Sequence, residues 1–342
     1  MSMASHFRAR IIAAGAVALA LGAAACGSSG SPSSTASGPK QLQTVNLLFD
    51  FTPSPYEAPI TWGMATGLFA KYGIKLNIET AEGSSISVPE IASNKVAFGF
   101  GSYDVYIGDY LKGETGSTAI EVYENIPTTG IIAPKPITNL HQLVGKSFGD
   151  VSGSSGIPLL DYVLKKAGIA PSAVPLKLLS FSVLYPEFYQ GTIYSAEMDE
   201  PGDEDALAGA TAAHVPAAYT PLSKFGLTGY SAVLLASNAE IKKDPTLVKN
   251  MATAIYESEV QAVAKASDSA IVTDFQTLAP TKTAADILPA WHDFKKEVTG
   301  FGKFGPKVVQ SILSRVKVED SISSTVSASS LYTNKYLPSN VG

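Results

Sequence analysis

The sequence predicts an α/β protein of two lobes with a helical C-terminal part. Three observations lead there. Short apolar runs alternate with helical patterns from Val45 to Tyr123, the alternation restarts at Ile137, and helical patterns fill the chain after Pro245. Strands alternating with helices imply parallel sheets with helices on their faces. At 342 residues and 45% hydrophobic, the chain can fill a sizeable core and is long enough for two domains.

The N-terminus comes first. His6, Arg8 and Arg10 precede an apolar run from Ile11 to Ala25 that is short for a membrane span. The run ends in Ala23-Ala24-Ala25-Cys26, small residues before the only cysteine of the chain. The pattern resembles the lipobox of bacterial lipoproteins, with Ala23 where Leu is usual. Residues 1–25 are therefore read as a signal peptide and Cys26 as a lipidation site. A lone cysteine has no disulfide partner. Residues 26–40 are read as lipidated cysteine plus flexible linker. The linker, Gly27 to Pro39, contains no large apolar residue. A flexible linker of about 13 residues reaches about 20 Å. The expected location is the outer face of the cytoplasmic membrane, with the body tethered by lipid.

In the body, Val45–Asp50 reads as a strand and Pro59–Lys71 as a helix stopped at Tyr72-Gly73. Ile74–Thr80 alternates as a half-buried strand does. A helix over Val88–Ser93, a strand at Val96–Phe100, a helix through Leu111 and a strand at Ala119–Tyr123 follow. The second unit reads as a strand at Gly145–Gly149, a helix at Ile157–Ala167, a strand at Pro175–Ser180, a short helix at Pro186–Gln190 and a strand at Thr192–Ala196. Ser231–Ala236 is one more strand. Helices are expected over Pro245–Lys265, Ser267–Leu278, Ala284–Thr299 and Lys307–Lys317, the first with Asp244 as N-cap and Pro245 at N1. Crossings between lobes are expected near Ile131–Pro136 and Gly229–Ala232. The domain reading is 41–133 for the first part of lobe 1, 134–230 for lobe 2, and 231–342 for the rest of lobe 1 and the C-terminal helices.

Ligands of open α/β sheets bind beyond the carboxyl ends of the strands, so the loops there supply the candidate binding residues. The first strand ends in Asp50-Phe51-Thr52-Pro53-Ser54-Pro55-Tyr56-Glu57-Ala58-Pro59, a stiff loop carrying rings and carboxylates. Prolines reduce the entropy lost when such groups are ordered on binding. Asp50 and Glu57 are candidate acceptors, Phe51 and Tyr56 candidate stacking faces. Phe51 equally suits a structural turn with its ring in the core, whereas Tyr56 and Glu57, deep in the turn, are read as site residues. Ser84 and Ser85, and Ser152, Ser154 and Ser155, precede helices in the two lobes. Such residues offer donors to a ligand or simply cap the helix. Ser102 and Tyr103 sit at another strand end, where Asp104 suits a cap. Glu197, Asp199 and Glu200 form an acidic run that is either a solvated face or one wall of the cleft. If one of them points inward beside Glu57, the site favours a ligand with amino groups over nitrate or a sulfonate.

Several motifs are similar to solute-binding proteins of ABC importers, in the branch for thiamine-pyrimidine precursors and riboflavin and its alkanesulfonate, nitrate and taurine relatives. Asp50-Phe51-Thr52-Pro53-Ser54 resembles that branch's Asp-Trp-Thr-Pro-Asn. Gly67-Leu68-Phe69 and Tyr72-Gly73-Ile74 resemble its first helix end and next strand. Asn94-Lys95-Val96-Ala97-Phe98-Gly99 resembles its Gly-Lys-Val-Asp-Phe-Gly, with Ala97 for the Asp. Leu140 to Lys146 resembles the opening of its second lobe, and Glu200-Pro201 a Glu-Pro of the sulfonate and nitrate relatives. The likeness spans about Val45 to Val260 and implies the type II periplasmic-binding-protein fold, two α/β lobes with two crossovers. It departs where the family's His is Glu57 and where a family Asp is Tyr194, so the ligand does not transfer.

The function this implies is an extracytoplasmic solute-binding lipoprotein of an ABC importer, taking a small heteroaromatic, thiamine-precursor-like ligand. Its partners are that ligand, an ABC permease with its ATPase, and the membrane through lipid. A monomer without cofactor or metal is expected. The alternatives are a binder of sulfonate, nitrate or taurine, a solute-sensing lipoprotein, or a relative of the enzyme that makes the thiamine pyrimidine. The enzyme reading is weak: that enzyme's Cys-rich motif has no counterpart, and His6, His141, His214 and His292 are scattered. A formal charge of −5 argues against nucleic acid.

Overall fold

A computed structural model of the chain describes residues 41–199, 204–297, 301–319, 321–339 and 341. The expected signal segment, Cys26, the linker, Glu200 and Pro201 lie outside those residues.

The first half begins with β1 (Gln43–Phe49), α1 (Ala58–Ala65) and α2 (Leu68–Lys71). The single helix expected over 59–71 is broken because Gly67 adopts φ +77°, a left-handed position that ends one helix and caps the next. There follow β2 (Ile74–Thr80), α3 (Ser84–Ala92), β3 (Phe98–Ser102), α4 (Tyr103–Leu111) and β4 (Ser117–Val122). The second half holds β5 (Thr129–Ala133), β6 (Phe148–Val151), α5 (Gly156–Lys166), β7 (Leu176–Leu179), α6 (Phe181–Tyr189), β8 (Ser195–Asp199), α7 (Glu204–Ala212) and β9 (Ala218–Pro221). The chain ends with β10 (Ala232–Ser237), α8 (Asn238–Lys243), α9 (Pro245–Lys265), α10 (Asp268–Phe275), α11 (Ala284–Glu297) and α12 (Pro306–Glu319).

Two five-stranded sheets result, in the orders β2-β1-β3-β10-β4 and β7-β6-β8-β5-β9. Both are mixed, where parallel sheets were expected. β1 pairs in parallel with β2 and β3, and β6 with β7 and β8. β10 is antiparallel to both neighbours, and so is β5. β5 and β10 are the strands by which the chain enters a sheet from the other lobe, and each runs against its hosts. The chain leaves the first sheet after Val122 and returns at Ala232.

Side chains alternate across each sheet and build a core on either face. Leu234 and Ala236 join the core under α1, α9, α10 and α11, while Val233 and Leu235 join the one beneath α4 and α12. In the second sheet Ile131 and Ala133 face one core and Ile132 the other. The long α9 starts as its sequence requires. Asp244 accepts a hydrogen bond from the Leu247 amide at 2.9 Å, and Pro245 occupies the first turn, where no amide donor is needed.

Candidate functional site

A cleft of about 400 Å³ lies between the two sheets, beyond the carboxyl ends of β1, β3, β4, β6 and β8. The loop after β1 contributes Asp50 to Ser54, Tyr56 and Glu57, and the turn after β2 contributes Gly83 and Ser84. The second sheet contributes Val151, Ser154, Ser155, Phe181, Glu197 and Asp199. The 278–282 stretch between α10 and α11 closes one side.

The stiff loop holds its carboxylates by local hydrogen bonds. Ser54 and Glu57 form a capping box: the Ser54 amide donates to Glu57 Oε2 at 2.9 Å and the Tyr56 amide donates to Ser54 Oγ at 3.4 Å. Burial, and then the nearby Asp50, push the Glu57 carboxyl up to about 8. Asp50 Oδ2 accepts from Ser84 Oγ at 2.6 Å, and Ser84 Oγ accepts from the Ser102 amide at 2.9 Å. Those bonds favour the charged form of Asp50, but burial outweighs them and raises its pKa. Ser84 thus fixes Asp50, the Ser102 amide fixes Ser84, and neither helix start has a side-chain cap.

Glu124, just past β4, is 7% exposed and lines the cleft. Burial raises its pKa well above the usual carboxylate range, and Asp199, Glu57 and Asp50 each add to the rise. Its backbone pairs with the returning chain: the Ser231 amide donates to the Glu124 carbonyl at 3.0 Å. From the other wall, Asp199 Oδ1 accepts from Thr128 Oγ1 at 3.3 Å, and Thr128 Oγ1 lies 2.8 Å from Ser231 Oγ. Burial raises Asp199 despite these bonds. Behind it, the fully buried Asp150 is pushed up to about 7 by burial, with Asp199 adding. Five carboxylates thus face the cleft, Asp50, Glu57, Glu124, Glu197 and Asp199, against one basic lining residue among those described, Lys282.

The rings divide their roles. Phe51 sits edge-on to Phe181 of the second lobe, centroids 5.2 Å apart, so it bridges the lobes at the cleft wall. Tyr56 lines the cleft yet is 5% exposed and packs edge-on against Phe294, which places it in the core as well. The Tyr123 hydroxyl donates to the Tyr56 carbonyl at 2.6 Å and props the loop from below.

Ten of the expected binding residues line the cleft: Asp50, Phe51, Tyr56, Glu57, Ser84, Ser102, Ser154, Ser155, Glu197 and Asp199. Three do not. Tyr103 is the first residue of α4, and its fully buried ring packs with Tyr106, Tyr230 and Phe304 in the far core. Ser85 is exposed and abuts the opposite lobe: a Cβ on Gly153 would lie 2.2 Å from its Oγ. Ser152 faces solvent. Asp104 makes a buried ion pair with Arg315 at 2.7 Å. Glu124, Tyr123, Thr128, Phe181, Ser231 and the 278–282 stretch were not among the expected residues. Glu124 follows a strand end and was open to the same rule that picked Asp50.

Among the described residues no group of three or more His, Cys, Asp or Glu is placed to hold a metal ion, and no helix is long and apolar enough to cross a membrane. The cleft presents acidic side chains and aromatic rings on both walls.

Comparison with solved structures gives the same architecture. A protein of Bordetella bronchiseptica matches with a TM-score of 0.70 at 16% identity, over 86% of this chain and 95% of its own. The periplasmic aliphatic sulphonate binding protein SsuA of Escherichia coli matches with a TM-score of 0.66 at 13% identity, over 86% and 92%. A Candida albicans protein described as having the generic periplasmic binding protein fold matches with a TM-score of 0.59 at 14% identity, over 86% and 97%. A search of the curated proteins found no match. The likeness to these structures establishes the periplasmic-binding-protein fold. The family model described as NMT1/THI5 like matches residues 54–268, more than half of the chain. The chain belongs to the NMT1/THI5-like family.

Proposed function

We propose that this protein is the extracytoplasmic solute-binding component of an ABC importer, lipid-anchored through Cys26. It captures a small heteroaromatic ligand with amino groups, similar to a thiamine-pyrimidine precursor, and presents it to a membrane permease. The observation that carries the reading is the interlobe cleft, which sets carboxylate acceptors and aromatic rings on both walls. Ligand held by both walls stabilises the closed arrangement, and a permease reads that state. No chemical step is involved.

The sulphonate reading has the likeness to SsuA in its favour. The cleft's charge opposes it. A sulphonate calls for cationic partners, and the described lining offers one basic residue, Lys282, against five acidic ones, each of which repels an anion when ionised.

A thermal-shift screen tests the proposal. The panel is hydroxymethyl- and aminomethyl-pyrimidines, riboflavin, taurine, alkanesulphonates and nitrate. A ligand at about 100 times its Kd adds about 2.7 kcal/mol, or several degrees. The expected result is a shift with an amino-pyrimidine that disappears in Glu57→Ala. A shift with alkanesulphonate or nitrate alone overturns the heteroaromatic reading.

A further inference from the structure

The acids of the cleft are divided between its walls. Asp50, Glu57 and Glu124 follow strands of the first sheet, and Glu197 and Asp199 end a strand of the second. They act on one another across the gap. Glu124 and Asp199 are joined by hydroxyls: Asp199 Oδ1 accepts from Thr128 Oγ1 at 3.3 Å, Thr128 Oγ1 lies 2.8 Å from Ser231 Oγ, and Ser231 is hydrogen-bonded to the Glu124 side chain. Glu124 is more than nine-tenths buried and still lines the cavity. The buried guanidinium of Arg315 does not offset this charge, because Asp104 and Glu319 pair with it.

We propose that the ligand is bound as an aromatic cation bearing N–H donors, an amidinium or protonated amino-heterocycle, whose charge lies between Glu124 and Asp199. The proposal rests on the reading of the interlobe cleft as the solute site. Without such a ligand, closing the lobes brings like charges together or requires protons to mask them. A cation replaces that repulsion with attraction to both walls, so its charge itself drives closure. Carboxylates accept paired N–H donors well, and the flanking Phe51, Phe181 and Tyr123 suit a flat cation. A neutral ring leaves the acids uncompensated, and an anion adds to them. A metal ion is the wrong cation here, since no described group of acids is placed to ligate one. Binding displaces protons from the acids to solvent, which gives the proposal a second signature.

Three ligands of one shape and different charge test it: benzamidine, benzamide and benzoate, titrated calorimetrically at pH 7.5 in two buffers of different ionisation heat. Expected are benzamidine binding at least about tenfold tighter than benzamide, heat that depends on the buffer because protons are released, and no benzoate binding. Glu124→Gln and Asp199→Asn should each weaken benzamidine by about tenfold or more and weaken benzamide by a smaller factor, because only the cation loses a charge–charge attraction. Benzamide or benzoate binding as tightly as benzamidine, or no benzamidine binding at all, overturns the cationic assignment. Phe181→Ala separates the two readings. If benzamide or benzoate binding is lost in Phe181→Ala, the cleft stands as the solute site and only the charge assignment fails. If benzamidine binding is indifferent to Phe181→Ala, Glu124→Gln and Asp199→Asn, the ligand lies outside the cleft and both readings fail.

Discussion

Replacing Glu57 by Gln should stabilise the protein while weakening ligand binding. Gln keeps the carbonyl that accepts from the Ser54 amide, so the capping box survives and only the charge is lost. The Glu57 carboxyl is pushed from 4.5 up to about 8, by burial first and Asp50 second. A folded pKa above the unfolded one means the folded state holds the proton more firmly. Stability from this group is therefore fully present below about 4.5 and is lost as pH rises towards 8. The full shift corresponds to about 5 kcal/mol. Glu57 is only half-buried, and water on its open side reduces this to about 2 kcal/mol at pH 8. With an unfolding entropy of about 0.6 kcal/mol/K for a body of about 300 residues, Tm should rise by about 3–4 °C. Thermal unfolding of wild type and Glu57→Gln at pH 5, 6, 7 and 8 is the assay. The gain should be near zero at pH 5 and grow with pH. An equal gain at every pH, or a loss at pH 8, refutes the reasoning.

Other predictions concern the frame around the site. Arg315→Met strips the buried Asp104 of its partner and should destabilise by about 3–5 kcal/mol, with Asp104→Asn in the same chain restoring most of it in thermal melts. Gly153→Ala places a methyl 2.2 Å from Ser85 Oγ at a φ of +86°, so it should weaken ligand affinity in titrations, and Ser85→Gly should recover part of the loss. Cys26→Ser should move the protein from the membrane fraction to the soluble fraction of cells, as the proposed lipid anchor requires.

Much of the architecture was legible in the chain. β2 was expected over Ile74–Thr80 and α9 over Pro245–Lys265, because alternation in one and Asp-Pro capping in the other are local signals. α7 and β9 were not expected; small residues such as Ala206, Gly209 and Ala210 carry a weak pattern that tertiary packing decides. The site was half legible for a similar reason. The strand-end rule picked Asp50, Ser84 and Ser102, which line the candidate cleft, and it extends to Glu124. It gives no direction to a side chain: Tyr103, one residue past Ser102, turns away because α4 begins there and its ring belongs to the opposite core. The residues at 278–282 and Ser231 reach the cleft only by long-range chain return, which no neighbouring residue announces.

As proposed, the cleft between the lobes receives an amino-bearing ring between two acidic walls. A crystal structure grown with a hydroxymethyl-aminopyrimidine tests it most directly. The ring is expected against the Phe51–Phe181 pair, with ligand nitrogens at hydrogen-bonding distance, about 2.7–3.1 Å, from carboxylates of both lobes, Glu124 and Asp199 among them. An empty cleft with the ring bound elsewhere, or a ring held only by serine hydroxyls and helix amides, contradicts it.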